Sequence, residues 1–393
     1  MGHIELLAPA GDFERLQFAL NYGADAVYIG GTAYSLRANA KNFDMDEIKK
    51  AADYTHNLGK KIYVGVNIFA HNEDLTHMSE YLHNLKDIGV DAVIVADPGV
   101  FNIARKIQGL EIHISTQANI TNYESARFFI ELGASRIILA RELDFDEIRK
   151  ISKDFNTEVF VHGAMCMSYS GRCLLSNLIT HRDANKGNCS QPCRWEYDIR
   201  PNNGPLLKIY EDERGTYILN SKDLCMIEYI PELMQSGVKS LKIEGRMKTV
   251  YYTAVVTRAY RKAIDDYSNN IYEPQKYLYE LKKTSHRDFS TGFYFGKPEQ
   301  NINTTAYNAY YDFIGVVKSY DKNTGVALVE QRNKFSIGDK LEFVKAEFSQ
   351  TINELCNIKH EQIQSAPHAQ ELLYIKTDKP VEEFEILRKK SDL

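Results

Sequence analysis

Gly23-Ala24-Asp25-Ala26-Val27-Tyr28-Ile29-Gly30 is a phrase that this chain repeats. It returns as Gly89-Val90-Asp91-Ala92-Val93-Ile94-Val95, as Gly133-Ala134-Ser135-Arg136-Ile137-Ile138-Leu139 and as Gly237-Val238-Lys239-Ser240-Leu241-Lys242-Ile243. Each copy follows a stretch with helical spacing, such as Phe13, Leu16, Ala19 and Leu20. The reading is a helix ended by a glycine that tolerates a left-handed conformation, then a buried parallel strand. Four further strand-like runs fill the gaps: Glu5–Ala8, Lys61–Val66, Glu111–Ser115 and Glu158–His162. Eight such units before residue 250 predict an α/β fold, a closed (β/α)8 TIM-like barrel, over an open doubly wound sheet. In such a barrel the active face lies at the C-terminal strand ends. Here those ends carry Asn67, Ser115-Thr116-Gln117, Arg141-Glu142, His162-Gly163 and Glu244-Gly245-Arg246.

The chain has 393 residues, 44% apolar and 26% charged, the mix of a folded globular protein. Lys and Arg number 48 and Asp and Glu 53, a net charge of −5, which excludes a basic nucleic-acid coat. RNA or DNA contact would have to come from local basic patches. Charges at Glu5, Asp12, Glu14 and Arg15 interrupt any secretory apolar run. No apolar run reaches 18 residues, so no membrane helix and a cytoplasmic location are expected. Two domains are expected: a barrel over 1–300 with an insertion at about 164–235, and a small β-barrel-like domain over 305–393. Within the insertion, Leu224–Leu233 reads as the helix preceding the last strand, and Tyr251–Ile264 reads as a later helix. In the second domain, Phe313–Lys318 and Gly325–Glu330 read as strands joined by a turn at Asp321–Gly325.

Five of the six cysteines fall within 60 residues: Cys166, Cys173, Cys189, Cys193 and Cys225. In a reducing compartment such a cluster reads as metal-binding or catalytic, not as disulfides. The gaps of 6, 15 and 3 residues between the first four contain no two-residue zinc knuckle. They leave an iron–sulfur cluster, zinc and unliganded redox thiols all open. Cys189 and Cys193 flank Gln191-Pro192, a turn that would bring two sulfurs together. Cys225 also reads as a small buried hydrophobe, and Cys356 as an ordinary thiol. Basic side chains crowd the same region, Arg172, Arg182 and Arg194 among them, with Lys242, Arg246 and Lys248 from the next strand end, suggesting an anion pocket. His162 reads equally as proton carrier, ligand or satisfied polar residue. Peptidase signatures are missing: there is no H-E-x-x-H helix and no G-x-S-x-G elbow, and neither Ser115 nor Ser170 has an evident base.

The run from Glu158 to Ser176, EVFVHGAMCMSYSGRCLLS, resembles the signature of the collagenase-like peptidase family U32. So do Asn188–Tyr197 (NCSQPCRWEY), Glu5–Gly11 (ELLAPAG), Gly23–Tyr28 (GADAVY) and Lys242–Lys248 (KIEGRMK). The resemblance spans essentially the whole chain and is nearest to the family's tRNA uridine 5-hydroxylation branch. It implies hydroxylation of a wobble uridine in the tRNA anticodon loop, a 4Fe–4S cluster and prephenate as co-substrate. Carried over by motif position, Cys166, Cys173, Cys189 and Cys193 are the expected cluster ligands, with Cys225 in reserve. His162, Glu244 and Arg246 are the expected catalytic residues. Arg37, Arg141, Arg172 and Lys242 are expected to bind the co-substrate, and Tyr169, Trp195 and Tyr197 to stack on the base or pack around the cluster. A U32 paralogue is an expected partner. The alternatives kept open are a peptidase and hydroxylation of another RNA base.

Overall fold

The first strand, Glu5–Pro9 (β1), lies between two partners, and following the pairing from either side returns to it. We describe a computed structural model covering residues 3–35, 42–166, 175–182, 190, 192, 211–212, 215–216, 222–296 and 310–391. The next strands are Ala26–Gly30 (β2), Lys61–Val66 (β3), Ala92–Val95 (β4), Glu111–Ile114 (β5), Arg136–Ile138 (β6) and Thr157–Ala164 (β7). Strand β8, Asp223–Cys225, runs antiparallel to the end of β7. Strand β9, Ser240–Ile243, pairs in parallel with both β7 and β1 and so closes an eight-stranded barrel. The eight strands read from the sequence are the eight that close.

Helices alternate with these strands: Phe13–Asn21 (α1), Met45–Asn57 (α2), Met78–Ile88 (α3), Pro98–Ala104 (α4), Tyr123–Glu131 (α5) and Phe145–Ser152 (α6). Their starts are encoded locally. Asp12, Asp97 and Asn122 each accept a first-turn backbone N–H, while Asp44 with Glu47 and Asp144 with Glu147 form reciprocal capping boxes. The glycines of the repeated phrase end the helices as expected. Gly89 caps α3 at φ +94°, and Gly23, Gly133 and Gly237 lie at +107°, +109° and +88°, where a Cβ would be strained.

The insertion departs from its expected form. Leu224 and Cys225 belong to β8, not to a helix; helix begins only after Met226, as a 3-10 turn over Ile227–Tyr229 and then α8, Ile230–Gln235. The six-residue Leu175–Thr180 (α7) also lies in the insertion. After β9 come Val250–Ser268 (α9) and Pro274–Leu281 (α10), and Phe289–Ser290 (β10) adds to β8. Among the described residues no helix is long and apolar enough to cross a membrane.

The chain divides into two compact units. One holds Met1–Leu278 and His286–Tyr307, the other Tyr279–Ser285 and Asn308–Leu393. The second unit is an antiparallel half-barrel sheet of seven strands: Tyr311–Asp321 (β11), Val326–Gln331 (β12), Lys340–Phe343 (β13), Phe348–Thr351 (β14), Leu355–Asn357 (β15), Leu372–Lys376 (β16) and Ile386–Lys390 (β17). Their spatial order is β14-β13-β17-β11-β12-β16-β15. Ile314, Val329, Phe343, Leu373 and Leu387 fill its core. The short segment Tyr279–Ser285 belongs to this unit for an ionic reason. Lys283 Nζ lies 2.8 Å from Glu280 and 3.0 Å from Glu342, and Arg388 reaches the same two carboxylates at 2.7 and 2.9 Å.

Candidate active site at the barrel mouth

Parallel register assigns the inward-facing residues. Glu158 pairs with Ser240 and Phe160 with Lys242; Lys242 pairs with Leu7, Tyr28 with Tyr63, Gly65 with Ile94, and His113 with Arg136. Barrel interiors are usually filled by branched apolar side chains. Here the lower part is ionic. Glu158, fully buried, accepts from Lys242 Nζ at 2.9 Å and from Arg136 at 3.2 Å. Arg136 also binds Glu5 at 2.5 Å, and Glu5 accepts from Tyr63 Oη at 2.7 Å and Ser240 Oγ at 2.9 Å. Burial alone would raise the Glu158 carboxyl, but the Lys242 and Arg136 charges outweigh it and hold it below its ordinary range.

Above this layer the barrel opens at the C-terminal strand ends into a small mouth, where the empty space of about 470 Å³ includes open solvent. Lys242, Glu244 and Arg246 line it together with Tyr28, Asn67, Ser115 and Gln117. Arg246 is buried, donating to Ser35 Oγ at 2.8 Å and to Asn42 Oδ1 at 2.5 Å. It can lie there because residue 30 is glycine: a Cβ at Gly30 would overlap the Arg246 guanidinium and the Ser35 hydroxyl. Asn67 Nδ2 donates to Gln117 Oε1 at 3.2 Å, and Ser115 Oγ donates to the same oxygen. The arrangement offers cationic donors and amide groups to a polar or anionic ligand.

The structure therefore brings Lys242, Glu244 and Arg246 together. Arg141 does not line the mouth but reaches one of them: it stands 3.8 Å from Glu244, 3.9 Å from the Phe160 ring centroid, and donates to the Ala164 carbonyl at 2.8 Å. His162 is not among the mouth-lining residues. A β-bulge intervenes, because Phe160 pairs with Lys242 but His162 pairs with the next residue, Ile243, leaving Val161 unmatched. An extra residue flips the alternation, so His162 leaves the interior face that Glu158 and Phe160 share. Its ring packs instead against Tyr252 and Tyr260 of α9 and against Phe289. Burial, then the Lys248 and His286 charges, push its pKa down to about 3. Its Nδ1 also lies 3.4 Å from the Tyr260 hydroxyl.

Cys166 lies exposed just beyond β7. Cys225 is buried in β8, facing the Tyr260 hydroxyl, and burial pushes its thiol up to about 12. Cys356 lies in β15 of the second unit. Cys173, Cys189, Cys193, Arg37, Arg172, Tyr169, Trp195 and Tyr197 lie outside the described residues. Among the described residues no group of three or more His, Cys, Asp or Glu is placed to hold a metal. Sequence reasoning passes over Glu5, Arg136 and Glu158 as site residues. Their signal is nevertheless present: charged residues at inward parity inside otherwise apolar strand runs.

The profile of peptidase family U32 matches residues 11–304. The chain belongs to peptidase family U32. The profile of that family's C-terminal domain matches residues 309–388, most of the half-barrel unit. This U32 chain is 42% identical to tRNA hydroxylation protein P1 of Bacillus subtilis, covering 98% of this chain and 94% of that protein. It is 36% identical to tRNA hydroxylation protein P of Escherichia coli, over 92% and 91% of the two chains. It is also 39% identical to the 23S rRNA 5-hydroxycytidine C2501 synthase of Escherichia coli, over 67% of this chain and 39% of that protein.

Proposed function

We propose that this U32 protein is an RNA-modifying enzyme that hydroxylates a tRNA wobble uridine to 5-hydroxyuridine. The observation that carries this reading is the likeness to tRNA hydroxylation protein P1, which runs nearly end to end in both chains. The barrel mouth suits it: a single-stranded loop can present an unstacked base to a concave polar site, and anticodon-loop bases are accessible in that way. In this reading Cys166, Cys173, Cys189 and Cys193 hold a 4Fe–4S cluster, which supplies the redox capacity that ring hydroxylation needs. Prephenate is the co-substrate, held by basic side chains at the mouth.

The reading is tested by nucleoside analysis of tRNA from cells with and without the protein. Loss of 5-hydroxyuridine on deletion supports it, and an unchanged nucleoside profile overturns it. The rRNA synthase among the relatives favours a second reading, a cytidine in rRNA as substrate. The same analysis extended to rRNA separates the two. Anaerobically purified protein is expected to hold about four irons per chain and to absorb near 400 nm; one tightly bound zinc in their place would remove the cluster. Among the described residues Ser115 does not favour a peptidase reading, since its hydroxyl donates to Gln117 and not to an imidazole.

Arg246→Ala is expected to abolish most tRNA modification while the barrel persists. Gly30→Ala is expected to approach the same loss, because its methyl would overlap the guanidinium. Circular dichroism and nucleoside yield measured on the same samples check both. Full activity in Gly30→Ala would show that the guanidinium position does not matter.

A further inference from the structure

Gln117 lies in a single 3-10 turn, Thr116–Ala118, that follows β5 and faces the mouth. Its carbonyl oxygen takes two donors, the Ser115 hydroxyl and, at 3.2 Å, the Asn67 amino group. Reversing the amide would set its own amino group against that of Asn67, donor against donor. Ser115 is 3% exposed, so its hydroxyl is held within the barrel wall. The Gln117 carbonyl is thus engaged by the protein, and the end that meets a ligand is the amino group, which only donates.

The placement around the barrel gives this donor a partner. Asn67 follows β3 and Gln117 follows β5, the two neighbours of β4. In the closed ring β4 is the strand farthest from β9, which carries Lys242 and leads into Glu244 and Arg246. The amide pair and the charged group therefore face one another across the mouth. Unstacked bases in RNA loops are read along their pairing edge. A pyrimidine held by that edge at the amides turns its C5–C6 edge, which lies across the ring, toward the charged side. Uracil and cytosine differ on the pairing edge at carbon 4: uracil carries a carbonyl that accepts, cytosine an amino group that donates. A fixed donor there pairs with uracil and meets cytosine donor to donor. We infer that Gln117 is the specificity residue that reads carbon 4 of the pyrimidine, and that Ser115 and Asn67 are the positioning residues that fix its amide. This deepens the proposed function and rests on it for an RNA base as the ligand.

The test uses the full-length protein and two fluorescein-labelled anticodon stem-loops that differ only in uridine or cytidine at the wobble position. Fluorescence anisotropy gives both affinities. The uridine loop is expected to bind roughly tenfold more tightly, the scale of one hydrogen bond exchanged for an unsatisfied donor. Gln117→Glu keeps the shape and the oxygen that Ser115 and Asn67 hold, but puts an acceptor where the amino group stood. It is expected to reverse the order of the two loops. Its added charge weakens both alike, so the ratio is the readout. Ser115→Ala is expected to shrink the ratio several-fold with an unchanged circular dichroism spectrum, which a merely structural hydroxyl would not do. If Gln117→Glu does not fold, Gln117→Met, close in shape and lacking the amino group, is expected to abolish the preference. Equal affinity of the wild type for the two loops, affinity for neither, or a preference for cytidine overturns the reader. A uridine preference that survives both Gln117 variants overturns the role of Gln117, and an unchanged ratio in Ser115→Ala overturns the positioning. A preference that depends on Gln117, in a protein whose deletion leaves tRNA unmodified, would overturn the proposed hydroxylation and leave the reader standing. Loss of 5-hydroxyuridine on deletion, with a loop preference indifferent to residue 117, would do the reverse.

Discussion

Glu158→Ala is expected to lower the unfolding free energy by roughly 3–5 kcal/mol, the scale for removing one partner of a buried ion pair. The substitution leaves the Lys242 ammonium in the barrel without its carboxylate and takes from Arg136 one of its two acidic partners. Chemical denaturation of the full chain measures it, and a loss below about 1 kcal/mol would contradict the ionic layer as described. The double replacement Glu158→Met/Lys242→Met is expected to recover most of the loss. Two buried charges are then exchanged for apolar volume, which is often neutral or better. The pH dependence has a definite sign. The Glu158 pKa is depressed in the folded state from an ordinary 4.5, so its contribution is full above that value. It is lost as pH falls through the lower folded value.

The second large effect belongs to His162. Its pKa of about 3 in the fold, against an ordinary 6.5, means that the unfolded chain takes up a proton first on acidification. Stability is therefore full above pH 6.5 and drains away as pH falls toward 3. Each pH unit across that interval is worth roughly 1.4 kcal/mol, so the whole of it comes to on the order of 5 kcal/mol. About 2 kcal/mol of that falls between pH 6.5 and about 5. His162→Phe, in a pocket already built of Tyr252, Tyr260 and Phe289, is expected to flatten this dependence. Melting temperatures of both proteins from about pH 7.5 to about 5 give the comparison. Parallel curves would mean that His162 is not buried as a neutral group. The same variant separates packing from catalysis: retained tRNA modification at neutral pH is expected, because the ring does not line the mouth.

The glycine-led phrase starting at Gly23, Gly89, Gly133 and Gly237 was legible because it records local physics. A left-handed helix cap and a doubly buried strand are set by neighbours in sequence, so the count of eight strands could be read directly. Lys242, Glu244 and Arg246 could be placed at the mouth for the same reason, since they sit at the C-terminal end of one such strand. The four cysteines expected to hold a cluster were read only from spacing and likeness, and three of them, Cys173, Cys189 and Cys193, lie outside the described residues.

What the sequence by itself determined was the alternation of strand and helix, the closure that eight units favour, and the strand ends at which Lys242, Glu244 and Arg246 meet. The tertiary structure alone decided which side of β7 His162 takes, because one unmatched residue, Val161, turns the alternation over and only the pairing with β9 reveals it. It alone made β8 a strand, since Leu224 and Cys225 gain their partners from β7 rather than from their own segment. It also assembled Glu5, Arg136, Glu158 and Lys242 from four separate strands into one ionic chain. No local pattern announces such a chain: each member reads as an isolated charge until barrel closure brings the four within hydrogen-bonding distance.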